Sequence, residues 1–263
     1  MIIVKVGGGN TINKKQVAED IKALKEQVIF VHGGRKQTDV VAKRLGQPTK
    51  RVVSPSGMTS VLTDKKALEI MIMVYGLLNK QWVEAFESVG VSAVGLSGAD
   101  GRIWQGERKK YLIEMQDGKE KLIKDTYTGK VSKVNAELLK SILKENYLPV
   151  ITQPAITEKG ELINTDNDRN IAVMAGALKA KVLVVLFEAP GLLKNHQDES
   201  SLIRKVSKNE LPKMMKLAKG TMKKKVMGAI EAFENGVEKI YWGDARIKNP
   251  IESALSGKGT VIK

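Results

Sequence analysis

The 263-residue sequence contains no cysteine, so neither a disulfide framework nor a thiolate-held metal can exist in it. That suits a reducing compartment, and a cytoplasmic location is expected. Aromatic residues are only 5%, and none interleave with basic residues as a base-stacking surface would need. Nucleic acid is therefore not expected as a partner. No run approaches the roughly 18 apolar residues of a membrane-spanning helix. The opening Met1-Ile2-Ile3-Val4-Lys5 reads as a short strand rather than a signal peptide. Internal repeats and low-complexity linkers are also missing. Acidic residues are the scarce charge: 29 Asp and Glu stand against 44 Lys and Arg, a net charge of +15. Such an excess attracts polyanions, or it is simply a solvated lysine-rich surface, and composition alone leaves the two open.

What is present reads as a folded α/β protein. The hydrophobic fraction of 42% excludes disorder, and the length suits one large unit or two lobes sharing a cleft. Short apolar runs predict strands at Ile2-Val6, Val28-Val31, Val91-Val94, Leu148-Thr152, Val182-Leu186 and Lys239-Tyr241. Apolar residues three or four apart predict helices at Gln16-Lys25, Lys65-Ser88, Ala136-Glu145, Asp168-Leu178 and Met222-Asn235. The alternation implies a mostly parallel sheet with helices on both faces, a three-layer αβα sandwich, and the near-continuous Val/Ile/Leu strands imply burial on both sides. Residues 102–132 break the pattern: Tyr111-Met115 and Leu122-Ile123, around Gln116-Asp117-Gly118-Lys119, predict an inserted β-hairpin. A lobe boundary is expected near Pro154-Gly160. The helix Lys65-Ser88 carries Met71, Met73, Val74, Leu77, Leu78 and Trp82, enough for either a core element or a partner face.

Three glycine clusters follow predicted strands: Gly7-Gly8-Gly9, Gly33-Gly34, and Gly95 to Gly101. In open parallel sheets ligands bind at the carboxyl ends of the strands. Glycine there lets backbone N–H groups approach phosphate oxygens. Each cluster alone is also an ordinary turn, and none is a Walker A loop or a dinucleotide fingerprint. Lys5, separated from the first cluster only by Val6, stands where an ammonium reaches a transferring phosphate, or is a solvated strand-edge charge.

Taken together, Lys5-Val6-Gly7-Gly8, Val31-His32-Gly33-Gly34, Asn164-Thr165-Asp166-Asn167-Asp168 and Met222-Lys223-Lys224-Lys225-Val226 resemble the amino-acid kinase family in order and spacing. The nearest group is that of the acetylglutamate kinases. Within it, Leu62 to Ile70, Tyr127-Thr128-Gly129-Lys130-Val131 and Lys225 to Ala229 are similar to the kinases acting on aminoadipate or glutamate held by an amino-group carrier protein. The resemblance covers the whole chain. It implies the amino-acid kinase fold, with residues 1–160 as an acyl-substrate-binding and dimerisation lobe and residues 161–263 as a nucleotide-binding lobe. It implies direct transfer of phosphate from ATP to a carboxylate, with Lys5 and Lys225 on the phosphates and Asp168 orienting them. Lys225 is expected in the first turn of its helix. Gly33, Gly34, Val61, Asn164 and Asp166 are the implied substrate positions, and Gly7, Gly8, Glu188, Gly191 and Met222 the nucleotide positions. Mg²⁺ is implied as a companion of ATP, with no dedicated protein metal ligands. A homodimer and a small acidic carrier protein are the implied partners, the carrier meeting a rim that includes Lys109, Lys110 and Lys130.

The departures from the family pattern fall in the cleft. Arg35 follows Gly34 where a small residue is usual. Val61 replaces an arginine that pairs the substrate's α-carboxylate. Asn167 replaces glycine, Phe187-Glu188-Ala189 replaces Ser-Asp-Val, and Trp242 follows a strand where small apolar residues are commoner. Two other readings stay open beside a carrier-linked kinase: a diverged or engineered scaffold with a rebuilt pocket and little activity, and an ordinary acetylglutamate kinase.

Overall fold

The six runs predicted as strands all fall in one eight-stranded sheet, five as inner strands and the Val91-Val94 run at one edge. We describe it from a computed structural model, which describes residues 1–116, 118–218 and 220–263. Its strands in chain order are β1 (Ile2–Val6), β2 (Val28–His32), β3 (Ala93–Ser97), β4 (Leu148–Thr152), β5 (Val182–Phe187), β6 (Lys205–Val206), β7 (Lys239–Asp244) and β8 (Thr260–Ile262). Their spatial order is β6-β8-β7-β5-β1-β2-β4-β3. Every pair is parallel except β7 with β8. The four strands from residues 1–160 thus lie side by side, the four from 161–263 lie beside them, and β1 and β5 join the halves.

Among the described residues the α-helices are α1 (Lys14–Ala23), α2 (Arg35–Arg44), α3 (Lys65–Glu87), α4 (Ala136–Lys144), α5 (Asn167–Leu178), α6 (Leu211–Leu217), α7 (Gly220–Glu234) and α8 (Pro250–Leu255). Alternation along β1 sends Ile3 to one face, where α4, α5 and α7 cover it with Leu139, Ile171, Met174 and Val226. Ile2, Val4 and Val6 go to the other face, against Val17 and Ile21 of α1, Trp82 and Phe86 of α3, and Ile251 of α8. There Phe30 meets Trp82 at 4.6 Å and Phe86 at 4.9 Å between ring centroids, pairs worth about 0.5–1.5 kcal/mol each beyond area burial. The αβα layering follows from both sheet faces being apolar.

Local chemistry moves several predicted boundaries. Asn13 accepts a hydrogen bond from the Gln16 N–H and starts α1 two residues earlier than its apolar spacing implies. Val91 still donates back to Phe86 at the end of α3, and Gly90 turns with φ +79°, so β3 begins at Ala93. Helix α2, which periodicity leaves unassigned, begins directly after Gly34. The inserted segment is larger than one hairpin. Strands Tyr111–Gln116 and Lys119–Lys124 pair as expected, though Asp117 of the predicted turn lies outside the described residues. The flanking strands Trp104–Arg108 and Gly129–Val134 pair with each other and join Ala155–Thr157 and Leu162–Ile163 in a four-stranded sheet. A second hairpin, Arg51–Val53 with Thr59–Val61, sets Arg51 opposite Val61.

Candidate active site

The carboxyl ends of β1, β2, β4 and β5 open into a cavity of about 590 Å³. Two glycine loops form its floor. The N–H of Gly7 donates to the Leu186 carbonyl, and that of Gly33 donates to the Val6 carbonyl. The loops touch so closely that a Cβ on Gly8 would lie 2.5 Å from the backbone nitrogens of Gly34 and Arg35. Only glycine fits there.

Lys5 reaches the cavity from β1 and is 4% exposed. Its Nζ donates to Asp168 Oδ1 at 2.8 Å, and the Nζ of Lys225 lies 3.3 Å from Asp168 Oδ2. Asp168 stands in the first turn of α5, which Asp166 caps by accepting the Asp168 N–H. Helix α7 brings Lys225 in because Gly228 packs on α5; a Cβ there would meet the Asp168 carbonyl oxygen at 2.5 Å. The expected first-turn position of Lys225 needs correction. Gly220 and Thr221 are already helical, so Lys225 sits in the second turn of α7. The helix terminus contributes little there, and the local potential comes from the ion cluster itself.

Two ammonium groups share one buried carboxylate, which leaves the cluster one positive charge in excess. Burial works against the charged form of Lys5, but Asp168 outweighs it and raises the Lys5 pKa. For Lys225 burial prevails, aided by repulsion from Lys5, and its pKa falls to about 8. Asp168 is held well below the usual carboxylate range: burial pushes upward, and Lys225 and Lys5 overcome it. Lys225 also lies 5.0 Å from the Phe187 ring centroid, a cation–π contact supplied by one of the unusual residues.

The other expected positions divide. Gly33, Gly34, Val61, Asn164, Asp166, Gly7, Gly8, Glu188 and Met222 all line the cavity. Asn164 donates to Thr63 Oγ1 at 2.9 Å, and Asp166 pairs with Lys224 at 3.4 Å. The carboxylate of Glu188 accepts the N–H and hydroxyl of Thr11 and pairs with Lys36, lying over Gly9. Gly191 does not line the cavity; it packs on Thr260, whose Oγ1 would lie 2.4 Å from a Cβ there. Asn167 is a clasp: its Nδ2 donates to the His32 carbonyl at 3.0 Å and its Oδ1 accepts from Gln153 at 2.9 Å. Gln153 also accepts from the Thr165 N–H and hydroxyl. Periodicity has no signal for Gln153, Tyr75 or Asp39, because each reaches the cavity only through the fold. Of the expected rim, Lys109 lines the cavity mouth, while Lys110 and Lys130 are exposed.

The chain matches the family described as "Amino acid kinase family" over residues 1–242. It is 47% identical, with both chains covered completely, to the [LysW]-aminoadipate kinase of Thermus thermophilus. It is 36% identical, again over the full length of both, to the [LysW]-aminoadipate/[LysW]-glutamate kinase of Metallosphaera sedula. Among solved structures, the N-acetylglutamate synthase of Neisseria gonorrhoeae superposes with a TM-score of 0.80 at 20% identity, over 99% of this chain and 58% of that one. Giardia carbamate kinase superposes at 0.68 with 14% identity, over 99% and 97%. At such identities these two structures speak to fold alone. Motif, sheet order, cavity and relatives agree: the chain belongs to the amino-acid kinase family.

Proposed function

We propose that this protein transfers the γ-phosphoryl group of ATP to the side-chain carboxylate of aminoadipate or glutamate carried on a small acidic amino-group carrier protein. The product is an acyl phosphate used in lysine or arginine biosynthesis. The observation that carries this reading is the meeting of Lys5 and Lys225 on Asp168 at the closed end of a glycine-lined cavity. Donor phosphate and acceptor carboxylate are both anionic, so transfer needs cations and alignment more than covalent chemistry. Lys5 and Lys225 would lie on the transferring phosphoryl oxygens, and Asp168 would hold both at a fixed spacing. Gly7 and Gly8 would present N–H groups to phosphate, with Glu188 and Met222 toward the nucleotide, while Gly191, packed on Thr260, takes no part in the pocket. Gly33, Gly34, Val61, Asn164 and Asp166 would border the acceptor. The cavity carboxylates Asp166, Asp168 and Glu188 are each paired with lysine, so Mg²⁺ would ride on the nucleotide phosphates and water.

In this reading residues 1–160 serve as the acyl lobe and 161–263 as the nucleotide lobe. Lys109 sits at the cavity mouth among Arg169, Lys224 and Lys130, a cationic rim able to steer an acidic carrier. A homodimer would form through α3, whose Met73 and Leu77 are 57% and 55% exposed around Gly76.

An ATP-dependent hydroxamate assay with carrier-bound aminoadipate and carrier-bound glutamate tests the reaction, and acyl phosphate is expected from at least one. A folded protein yielding none above background would overturn it. Use of free acetylglutamate in preference to the carrier-bound acids would make it an acetylglutamate kinase. One contact favours a diverged scaffold as the second reading: Glu188 already occupies the Thr11 N–H and Lys36 beside the glycine loop.

A further inference from the structure

Beside the exposed Lys50, Lys66 and Lys109, the cavity lining holds two clusters of more buried cations. In one, Lys5 and Lys225 share Asp168. In the other, Arg35 is the first residue of α2, immediately after Gly34, and its side chain lines the cavity wall with Val61 and Tyr75. One turn further along α2, at helical i,i+4 spacing, is Asp39, the natural counter-ion for Arg35. Asp39 pairs instead with Arg51, which reaches from the hairpin opposite Val61 and holds its Oδ2 at 2.5 Å, while its buried Oδ1 has no hydrogen-bond partner among the described residues. Among the described residues Arg35 makes no side-chain hydrogen bond and no ion pair. Lys36, Lys224 and Arg169 of the same cavity are each committed, to Glu188, Asp166 and Glu231. Arg35, Asp39 and Arg51 therefore repeat the arithmetic of the lysine cluster: two cations, one carboxylate, one positive charge in excess.

A half-buried guanidinium without a counter-ion is costly unless a ligand supplies one. Burial and the neighbouring Arg51 push the Arg35 pKa downward and outweigh the upward pull of Asp39, Tyr75 and Asp166, as expected of a cation with no direct ion pair. Val61, Ile70 and Met71 line the cavity with Arg35, and the lysines from the same segments, Lys50 and Lys66, are exposed whereas Arg35 is half-buried. The guanidinium fork takes both oxygens of a carboxylate at once. The titratable groups acting on Arg35 are Arg51 of the hairpin, Tyr75 of α3, Asp39 and Asp166.

Building on the kinase reading, we propose that Arg35 binds the non-reacting α-carboxylate of the acceptor, so that the cavity selects a dicarboxylic acyl substrate stretched between Arg35 and the Lys5–Lys225 pair. Asp39 and Arg51 are positioning residues: their pairing keeps Asp39 from quenching Arg35. The clamp that Val61 does not provide is thereby supplied from α2.

Isothermal titration calorimetry on the full chain tests this, using carrier loaded with aminoadipate, carrier loaded with aminoadipate 1-amide, and unloaded carrier. Wild type is expected to bind the acid roughly 10- to 100-fold more tightly than the amide. Arg35→Met should lose that margin and bind the two alike, and Arg35→Lys, which keeps the charge without the fork, should fall between. A non-hydrolysable ATP analogue should bind Arg35→Met within about twofold of wild type. The proposal is overturned if wild type fails to prefer the acid, if Arg35→Met still prefers it, or if Arg35→Met weakens the nucleotide analogue as much as the acceptor. Thermal melts of both variants report folding, and Arg35→Lys carries the test if Arg35→Met is unstable. The kinase reading fails separately: acid-over-amide preference without acyl phosphate leaves the Arg35 assignment standing.

Discussion

Replacing Asp168 with Asn removes one carboxylate and strands two buried ammonium groups. At an effective dielectric near 20, Lys5 at 2.8 Å and Lys225 at 3.3 Å each gain about 5–6 kcal/mol of Coulomb energy from Asp168. Desolvation offsets much of this, and removing one partner of a buried pair costs about 3–5 kcal/mol. For 263 residues that is a fall in Tm of about 5–9 °C. The pH dependence sharpens the prediction. In the wild type, the depressed pKa of Asp168 contributes stability above its ordinary value of 3.8, which is lost as pH falls through the lower folded value. Lys225 acts in the opposite direction. Its folded pKa of about 8 lies below the ordinary 10.5, so the unfolded chain binds more protons between those values and stability rises with pH across that window. Without Asp168 the Lys225 pKa drops further and Lys5 loses the partner that raises its pKa, so in Asp168→Asn the rise starts lower and is larger. Urea unfolding followed by the fluorescence of the buried Trp82, Trp104 and Trp242 at pH 7 and pH 9.5 measures this. A loss under about 1 kcal/mol at pH 7, or a loss equal at both pH values, would refute the charge accounting.

Three further outcomes follow from the same geometry. The kcat/KM for ATP should decline above about pH 8 as Lys225 loses its proton, and Lys225→Arg should abolish that inflection while lowering the rate. Gly228→Ala should cost about 1–3 kcal/mol and lower the rate, because its Cβ pushes α7 off the Asp168 carbonyl; an unaltered urea midpoint would contradict the close packing. Leu77→Glu should halve the mass seen by sedimentation if α3 forms the dimer face, and an unchanged mass would exclude that face.

Much of this site was legible because its parts are local. Lys5 precedes the glycine loop in sequence, and Asp166 and Asp168 stand at the start of a helix whose cap and apolar spacing announce it. The inner strands were legible for a similar reason, since both sheet faces are covered and no polar alternation interrupts them. Arg35 was conspicuous but open in meaning: its counter-ion budget depends on Arg51, on a hairpin with no periodic signal. Asn167 looked like a defect in the family pattern and is a clasp between β2 and Gln153.

The sequence by itself determined the layered α/β architecture, the glycine loops at strand ends, and the residue types able to manage phosphate. Apolar period, capping and glycine spacing act within a few residues and are written in order. Only the tertiary structure decided which charges meet. Lys5, Asp168 and Lys225 come from three elements, as do Arg35, Asp39 and Arg51 from two. Whether each cation is quenched or left free depends on distances of about 3 Å across the fold, and pairwise electrostatics at that range has no counterpart in sequence spacing.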